Sequence, residues 1–288
     1  MATLSFETLR FSQHQDTLRV VFLKYFYFDI PKEDLLKIGD VTVSETSLTF
    51  PHISEKRAQN KFSLLLDRGF QNLQGMLTGK PTTYIHQHSG IPLFGSRYIG
   101  IQDRGTNFLE IKPITGCTMG CVFCSVDEGI GSKKAHDFVV QREYLVAETK
   151  KLLDFKQCRN MHVYINVHGE PLLYADIVGL VEDLHAIHWI KDSTIITTAV
   201  LLTKKLVDDL AAAGLTEMNV SMSALDVEQS KIIMGTKAYD IRQIKDIVQY
   251  AAAKIKTTIA PVWVDDMNDT EMEKIIAFAK DINVPVRV

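Results

Sequence analysis

From residue 108 onward, short apolar runs alternate with longer segments whose apolar residues recur at helical spacing. The runs predict strands at residues 108–114, 161–167, 193–198, 217–222, 257–264 and 284–288. The segments between them predict helices, such as one with Leu145, Thr149 and Leu153 on one face and a last one capped by Asn268 and Glu271. Strands that alternate with helices are typical of a parallel sheet, so we predict an α/β fold arranged as a partial (β/α)6 TIM-like barrel. In such barrels the chemistry lies in the loops after the strands.

The first part of the chain follows a different pattern. Residues 18–27 are apolar and aromatic, residues 59–77 have helical spacing, and residues 84–102 resemble β structure with glycine at the turns. We therefore predict an N-terminal α+β region at residues 1–96, with a scaffold or substrate-recognition role, and a core at residues 97–288. Because no helix follows the last predicted strand in this sequence, we expect that a C-terminal segment of the core is missing.

The composition narrows the class of protein. Hydrophobic residues make up 46% and charged residues 23% of the 288 residues, which is ordinary for a globular protein. The net charge of −3 argues against a broad attraction for nucleic acid. The N-terminus lacks a basic-then-apolar leader, and the apolar stretch at 20–30 contains Lys24 and Asp29 and is too short to span a bilayer. We expect a cytoplasmic protein with no membrane partner.

Three of the four cysteines lie close together, as Cys117-Thr-Met-Gly-Cys121-Val-Phe-Cys124, and Cys158 lies apart from them. Three thiolates at this spacing can bind one iron–sulfur cube, and one iron then stays open because a fully protein-ligated cube uses four cysteines. Structural zinc with a histidine as fourth ligand is an alternative, although zinc sites usually pair their cysteines across a longer loop. A disulfide framework is poorly supported by four cysteines in a chain of this length.

The cysteine spacing, with Phe123 just before the last cysteine, resembles the signature of the radical S-adenosylmethionine (SAM) superfamily. The stretch at 103–129 resembles a mainly archaeal, little-characterised branch of iron–sulfur oxidoreductases within it. The resemblance implies a [4Fe–4S] cluster ligated by Cys117, Cys121 and Cys124, with SAM chelating the open iron. An electron from the cluster then cleaves the sulfonium and releases a 5′-deoxyadenosyl radical, so a reductant such as ferredoxin or flavodoxin is expected.

The resemblance also assigns residues to the SAM site, nearly all of them in the loops after predicted strands. They are Phe123, Gly169, Glu170, Thr198, Ser221, Ser223 and Val262, and Asp226 belongs to the same pattern as Ser221. His168 departs from the family's Gly-Gly-Glu-Pro-like segment and is either a substrate-facing base or a packing residue. Glu170 has the alternative of a surface carboxylate at a strand end.

The chain is therefore identified as a radical SAM enzyme that abstracts hydrogen from an unknown substrate, which is a small molecule, RNA or a protein. No side chain is assigned a catalytic role, because the cluster and the cofactor carry the chemistry. Modification of RNA nucleosides is one alternative function. A non-catalytic iron–sulfur or zinc-binding scaffold is another, favoured by the departures from the family pattern at His168, Thr198 and Ser223.

Overall fold

The computed structural model describes all 288 residues, and the chain divides into two compact units. The first unit comprises Met1–Tyr84 and Ala135–Asp137, and the second comprises Ile85–Lys134 and Phe138–Val288. The division of roles between residues 1–96 and residues 97–288 stays a prediction. No helix combines the length and the apolar character that crossing a bilayer requires.

The first unit is built from antiparallel strands and helices. Its elements are β1 (Ala2–Ser5), β2 (Leu9–Gln13), β3 (Thr17–Phe22), β4 (Phe26–Pro31), α1 (Lys32–Leu36), β5 (Thr42–Val43), β6 (Ser47–Phe50), α2 (Glu55–Phe70) and β7 (Gln74–Gly75). The strands form two sheets, with orders β1-β6-β5 and β2-β3-β4-β7. The helix predicted over 59–77 begins earlier and ends earlier, because the chain after α2 turns into β7, which pairs with β4.

The second unit contains the central sheet. After β8 (Thr82–Ile85), which crosses from the first unit, come β9 (Gly100–Asp103), β10 (Phe108–Lys112), β11 (Thr115–Gly116), β12 (Asp137–Val140), α3 (Arg142–Lys156), β13 (Met161–Ile165), β14 (His168–Gly169), α4 (Ile177–His185), β15 (Ile190–Thr197), α5 (Lys204–Ala212), β16 (Glu217–Val220), α6 (Val227–Ile233), α7 (Ile241–Ala252), β17 (Lys256–Ile259) and α8 (Asp269–Asp281). The sheet order is β17-β16-β15-β13-β10-β9. Its strands from β10 to β17 run parallel, whereas β9 is antiparallel to β10, and the sheet does not close on itself.

The predicted α/β alternation is confirmed, with corrections at its edges. Residues 284–288, predicted as a sixth strand, contribute a single parallel bridge between Ile259 and Val286. Residues 84–102 form strands only at their two ends, where β8 and β9 lie. The helix α6 was not predicted; its N-cap is Asp226, whose carboxylate accepts hydrogen bonds from the amides of the first helical turn.

The core of the second unit positions the loops that follow the strands. Val163, Ile165, Ile195, Met218 and Val220 are fully buried on the central strands. Because these side chains are buried, the strands are fixed in register, since a slip by one residue would expose this apolar surface. Since the strands are parallel, their carboxyl ends and the loops after them share one edge of the sheet.

Candidate functional site

The cysteine loop, residues 117–124, follows directly on β11, which pairs in parallel with β14. Gly116 stands opposite Gly169, and the amide of Glu170 donates to the carbonyl oxygen of Gly116 at 2.9 Å. Gly169 has a φ of +134°, and a Cβ there would lie 1.9 Å from that carbonyl oxygen, so this contact requires glycine. The close backbone approach therefore falls on Gly169 and is compatible with the side chain of His168.

The other side of the cysteine loop is held by the C-terminal end of α6. The amide of Gly120 donates to the carbonyl oxygen of Met234 at 3.0 Å, and the amide of Val122 donates to that of Ile233 at 3.0 Å. Gly235 has a φ of +64°, and a Cβ there would lie 1.8 Å from the carbonyl oxygen of Gly120. Hydrogen bonds of the chain itself therefore order the loop on both sides.

The three thiols of the loop differ in exposure but act on one another. Cys117 and Cys121 are half-buried, Cys124 is exposed, and all are free thiols. Burial raises the pKa of Cys117 to about 12 and that of Cys121 to about 11, with smaller contributions from the neighbouring thiols and from Glu170. Each thiolate would therefore raise the pKa of the other thiols in the loop.

This donor set fits an iron–sulfur cube. No side-chain cation is among the groups that act on the Cys117 and Cys121 thiols, so positively charged iron would offset the repulsion that opposes their ionisation. The three cysteines of a cube bind three different irons. The structure contains no group of three or more His, Cys, Asp or Glu side chains close enough to hold a single metal ion.

Glu170 is completely buried, so the alternative of a surface carboxylate is wrong. Its Oε1 accepts hydrogen bonds from the amide of Leu172 at 3.1 Å and from the hydroxyl of Thr197 at 2.6 Å. Its Oε2 accepts from the amide and the hydroxyl of Thr198, at 2.8 and 2.6 Å. Burial raises the pKa of Glu170, and these four hydrogen bonds oppose the rise. Glu170 therefore links the end of β14 to the end of β15.

The remaining predicted SAM residues continue this chain of contacts along the sheet edge. The amide of Ser221 donates to the carbonyl oxygen of Thr197 at 2.9 Å, which joins the ends of β15 and β16. The hydroxyl of Ser223 accepts from the amide of Val262 at 3.0 Å, which joins the loops after β16 and β17. Phe123 is half-buried in the cysteine loop. The contacts of these residues with SAM stay predictions.

Asn268 stands at the N-cap of α8, but its side chain does not cap the helix as predicted. Its Nδ2 donates to the carbonyl oxygens of Ser223 and Val262, each at 2.8 Å, and its Oδ1 accepts from the amide of Val264 at 2.7 Å. The side-chain amide of Asn268 therefore bonds three backbone groups outside the helix and holds two loops together, which leaves it no bond to the amides of α8. No local sequence signal distinguishes this role from a cap.

Glu271 also has partners outside its own helix. Its Oε2 accepts from the amides of Leu225 and Asp226, at 2.6 and 2.8 Å, and its Oε1 pairs with Lys274. The carboxylate of Asp226, predicted to belong to the SAM pattern, accepts from the first-turn amides of α6 instead. The predicted capping box of α8 is therefore wrong, and Asn268 and Glu271 brace the loop between β16 and α6.

The substitution Asn268→Asp tests this brace. An aspartate places an oxygen opposite two carbonyl oxygens that now receive a hydrogen bond, so we expect the free energy of unfolding to fall by roughly 3 kcal/mol. Urea unfolding of the cluster-free protein measures the change. Asn160→Asp, at an exposed position outside the helices and strands, is the matched control and should leave stability unchanged. Equal stabilities of the two variants would contradict the brace.

His168 lies beside the cysteine loop with one ring nitrogen, Nδ1, buried and without a hydrogen-bond partner. Its ring meets that of Tyr98 edge to face, with centroids 5.1 Å apart, and the ammonium of Lys134 lies over the Tyr98 ring. Burial lowers the pKa of His168, and the charges of Lys112 and Lys134 lower it further against an opposing effect of Glu110. The imidazole is therefore held neutral at physiological pH.

Comparison of the sequence with known proteins identifies relatives of this chain. The sequence matches the radical SAM superfamily over residues 111–279, more than half of the chain. It is 38% identical over 216 residues to the uncharacterized protein MJ0103 of Methanocaldococcus jannaschii, covering 73% of this chain and 49% of that protein. It is 30% identical over 185 residues to the GTP 3′,8-cyclase of Listeria monocytogenes serovar 1/2a, covering 63% of this chain and 53% of that protein. The chain thus spans about half the length of the curated relatives it matches.

A solved structure agrees with the fold. A spore photoproduct lyase mutant superposes with a TM-score of 0.52 at 14% identity, covering 72% of this chain and 59% of that chain. At this identity the likeness concerns the fold alone.

Proposed function

The chain belongs to the radical SAM superfamily, and on that premise we propose that it cleaves SAM reductively at a [4Fe–4S] cluster held by Cys117, Cys121 and Cys124. Enzymes of this superfamily use that cluster and SAM. The observation that carries the proposal is the cysteine loop at the carboxyl edge of the sheet, held from both sides by backbone hydrogen bonds. We further propose that the open sheet, with the bridge at Val286 beside β17, is a partial (β/α)6 barrel.

The three cysteines would hold the cluster and leave one iron open. A bound cluster would supply the electron that splits the sulfonium of SAM into methionine and a 5′-deoxyadenosyl radical, the species that would take a hydrogen atom from the substrate. Cys117 and Cys121 would hold the cluster from half-buried positions, whereas Cys124 is exposed. Electrons come from a reductant such as ferredoxin or flavodoxin in a reducing cytoplasm.

Glu170 acts on SAM through its neighbours. Both of its carboxylate oxygens already accept two hydrogen bonds from the chain, so no lone pair remains for a cofactor ammonium. We assign it the role of fixing Gly169 and Thr198, which with Phe123 and Ser221 would line the SAM site. Ser223 positions Val262 in the same way, through the bond to its amide.

Anaerobic reconstitution with iron and sulfide tests the proposal. We expect a brown protein with about four irons per chain, and release of 5′-deoxyadenosine after addition of SAM and dithionite. Protein carried through the same steps without iron is the control. A colourless protein that retains zinc would contradict the enzyme and support a scaffold. A cluster that forms without release of 5′-deoxyadenosine would support a non-catalytic iron–sulfur protein.

A nucleotide-type substrate is the second candidate, and one observation favours it. Several relatives at about 30% identity are GTP 3′,8-cyclases. Their name concerns those proteins, and we propose for this chain only a substrate of the nucleoside class, either free or within RNA, with residues 1–96 contributing to its recognition. Filter binding of total tRNA at two salt concentrations tests the RNA form. Binding that does not weaken with salt would argue against it, since phosphate contacts release counterions.

A further inference from the structure

The strand β1 has one free edge. In the three-stranded sheet of the first unit the order is β1-β6-β5, so β1 pairs with β6 on one side only. The amide of Phe6 donates to the carbonyl oxygen of Thr46 at 3.0 Å, which fixes the even-numbered residues of β1 as those that bond β6. Thr3 and Ser5 therefore direct their backbone amides and carbonyl oxygens away from β6, toward the free edge.

A cavity of about 160 Å³ runs along that edge. Four consecutive residues, 3–6, line it, although successive side chains point to opposite faces of a strand. A cavity on one face of the sheet would meet alternate residues only, and no residue of β6 lines this one. The cavity therefore lies along the free edge of β1 and not over a face of the sheet.

The helix α2 forms the opposite wall of the cavity. The residues that line this wall recur at helical spacing and share one face: Glu55, Gln59, Phe62, Ser63 and Leu66. Phe62 packs against Phe6, with ring centroids 5.7 Å apart, so part of the lining is apolar. Residues 55–66 cover about 17 Å of helix, which is the length of an extended segment of about five residues. We call this cavity between β1 and α2 the strand groove.

The chemistry of the lining selects the kind of partner. The backbone donors and acceptors at Thr3 and Ser5 match an extended peptide backbone, which can pair with them as an added strand. Glu55 is the only charged residue that lines the strand groove, so a basic side chain is favoured and the phosphates of nucleic acid are disfavoured. The strand β1 also contains neither a charged residue nor proline, which commonly keep other strands away from an edge.

We propose that the strand groove binds an extended segment of a partner polypeptide, which adds as a strand to β1. The backbone of this segment exchanges hydrogen bonds with Thr3 and Ser5. Alternate apolar side chains contact Phe62 and Leu66, and a lysine or arginine pairs with Glu55. The strand groove lies wholly within the first unit, so the inference goes beyond the proposed function and does not depend on the cluster.

Selection from a phage-displayed library of random peptides on the cluster-free full chain tests the proposal. We expect the selected peptides to alternate apolar residues and to carry a basic one. Ser5→Pro removes an amide that faces the strand groove, and an edge strand tolerates proline there because β6 does not use that amide. A selected peptide, made synthetically, should bind this variant about tenfold more weakly than the wild type, as measured by fluorescence anisotropy.

A second variant leaves β1 unchanged. Glu55→Lys reverses the charge of the strand groove at an exposed position in the first turn of α2, and the same peptide should bind it about fivefold more weakly. Glu33→Lys makes the same charge change in the first turn of α1, outside the strand groove, and is the matched control. It should bind the peptide as the wild type does. Circular dichroism establishes that each variant is folded.

Four results would overturn the inference. Equal binding by the wild type and Ser5→Pro would show that no strand is added to β1. A wild-type dimer that Ser5→Pro dissociates would show that a second copy of the chain fills the strand groove. Displacement of the peptide by total tRNA would assign the surface to nucleic acid. A library that yields no peptide above the background of Ser5→Pro would show that the edge takes no polypeptide.

Discussion

We expect the variant in which Cys117, Cys121 and Cys124 are all changed to alanine to retain no iron or sulfide after reconstitution and to form no 5′-deoxyadenosine above background. The reason is that cluster irons are held by thiolates, and alanine provides no ligand at any of the three positions. The backbone hydrogen bonds of Gly120 and Val122 that hold the loop do not involve the cysteine side chains, so the cluster-free variant should stay folded. Iron and sulfide assays, together with chromatography of the deoxyadenosine product, measure the effect.

Cys158→Ala is the matched control for this triple variant. Cys158 lies in the turn after α3, with its sulfur beside the carbonyl oxygen of Arg159 and outside the cysteine loop. The control should assemble the same amount of cluster as the wild type. Iron bound at wild-type level by the triple variant would mean that the ligands lie elsewhere in the protein.

Glu170→Ala is expected to lower the free energy of unfolding by about 4 kcal/mol, one of the largest single-residue effects in this protein. Removal of the carboxylate leaves two backbone amides and two threonine hydroxyls without an acceptor in a fully buried site. Rotation of the hydroxyls relieves part of the cost, but the amides of Leu172 and Thr198 cannot rotate. Urea unfolding of the cluster-free protein provides the measurement.

Glu170→Gln keeps the shape of the side chain but replaces one acceptor oxygen by an NH2 donor, so it tests the role of the acceptors alone. Each carboxylate oxygen accepts one backbone amide, so either orientation of a glutamine places its NH2 group against an N–H donor. We expect a loss of about 2 kcal/mol, between the wild type and E170A. Glu182→Gln, on the exposed face of α4, is the matched control and should unfold as the wild type does. Wild-type stability of E170Q would mean that the carboxylate is not essential to the link.

The difference in unfolding free energy between wild type and E170Q should depend on pH, with a sign that the pKa of Glu170 determines. Burial raises the pKa of folded Glu170 above its ordinary 4.5. A carboxyl that binds its proton more tightly when folded contributes its full stability below 4.5, and that contribution is lost as pH rises through the folded pKa. The difference in unfolding free energy between wild type and E170Q should therefore be largest at low pH. A difference that grows with pH would show that the four hydrogen bonds outweigh burial.

Local patterns in the sequence predicted the features that depend on neighbouring residues. The cysteine spacing identified the loop, and the apolar runs identified the parallel strands, because both depend on residues close together in the chain. The functions of Asn268 and Glu271 were mistaken for a helix cap, since each has a partner in a loop more than forty residues earlier. For Asp226 the prediction concerned a cofactor site, because its pattern resembled one. Its carboxylate instead accepts hydrogen bonds from the first amides of α6, which lie close by in the chain.

Burial could not be predicted for isolated polar residues. Glu170 and Tyr239 are buried, although a carboxylate is normally found at the surface and a lone tyrosine carries no clear burial signal in the sequence. Their environment is set by strands and turns that meet only in the folded chain. The four hydrogen bonds to Glu170 are therefore visible only in the folded structure, as is the unpaired hydroxyl of Tyr239. Residue spacing predicts neither.

The backbone hydrogen bonds from Gly120 and Val122 to the C-terminal end of α6 have a consequence for cluster assembly. A segment that is already ordered loses little conformational entropy when metal arrives. Iron and sulfide delivered to the folded chain would therefore meet a loop that is already formed. In this respect the protein differs from small zinc domains, in which metal binding and folding are a single event.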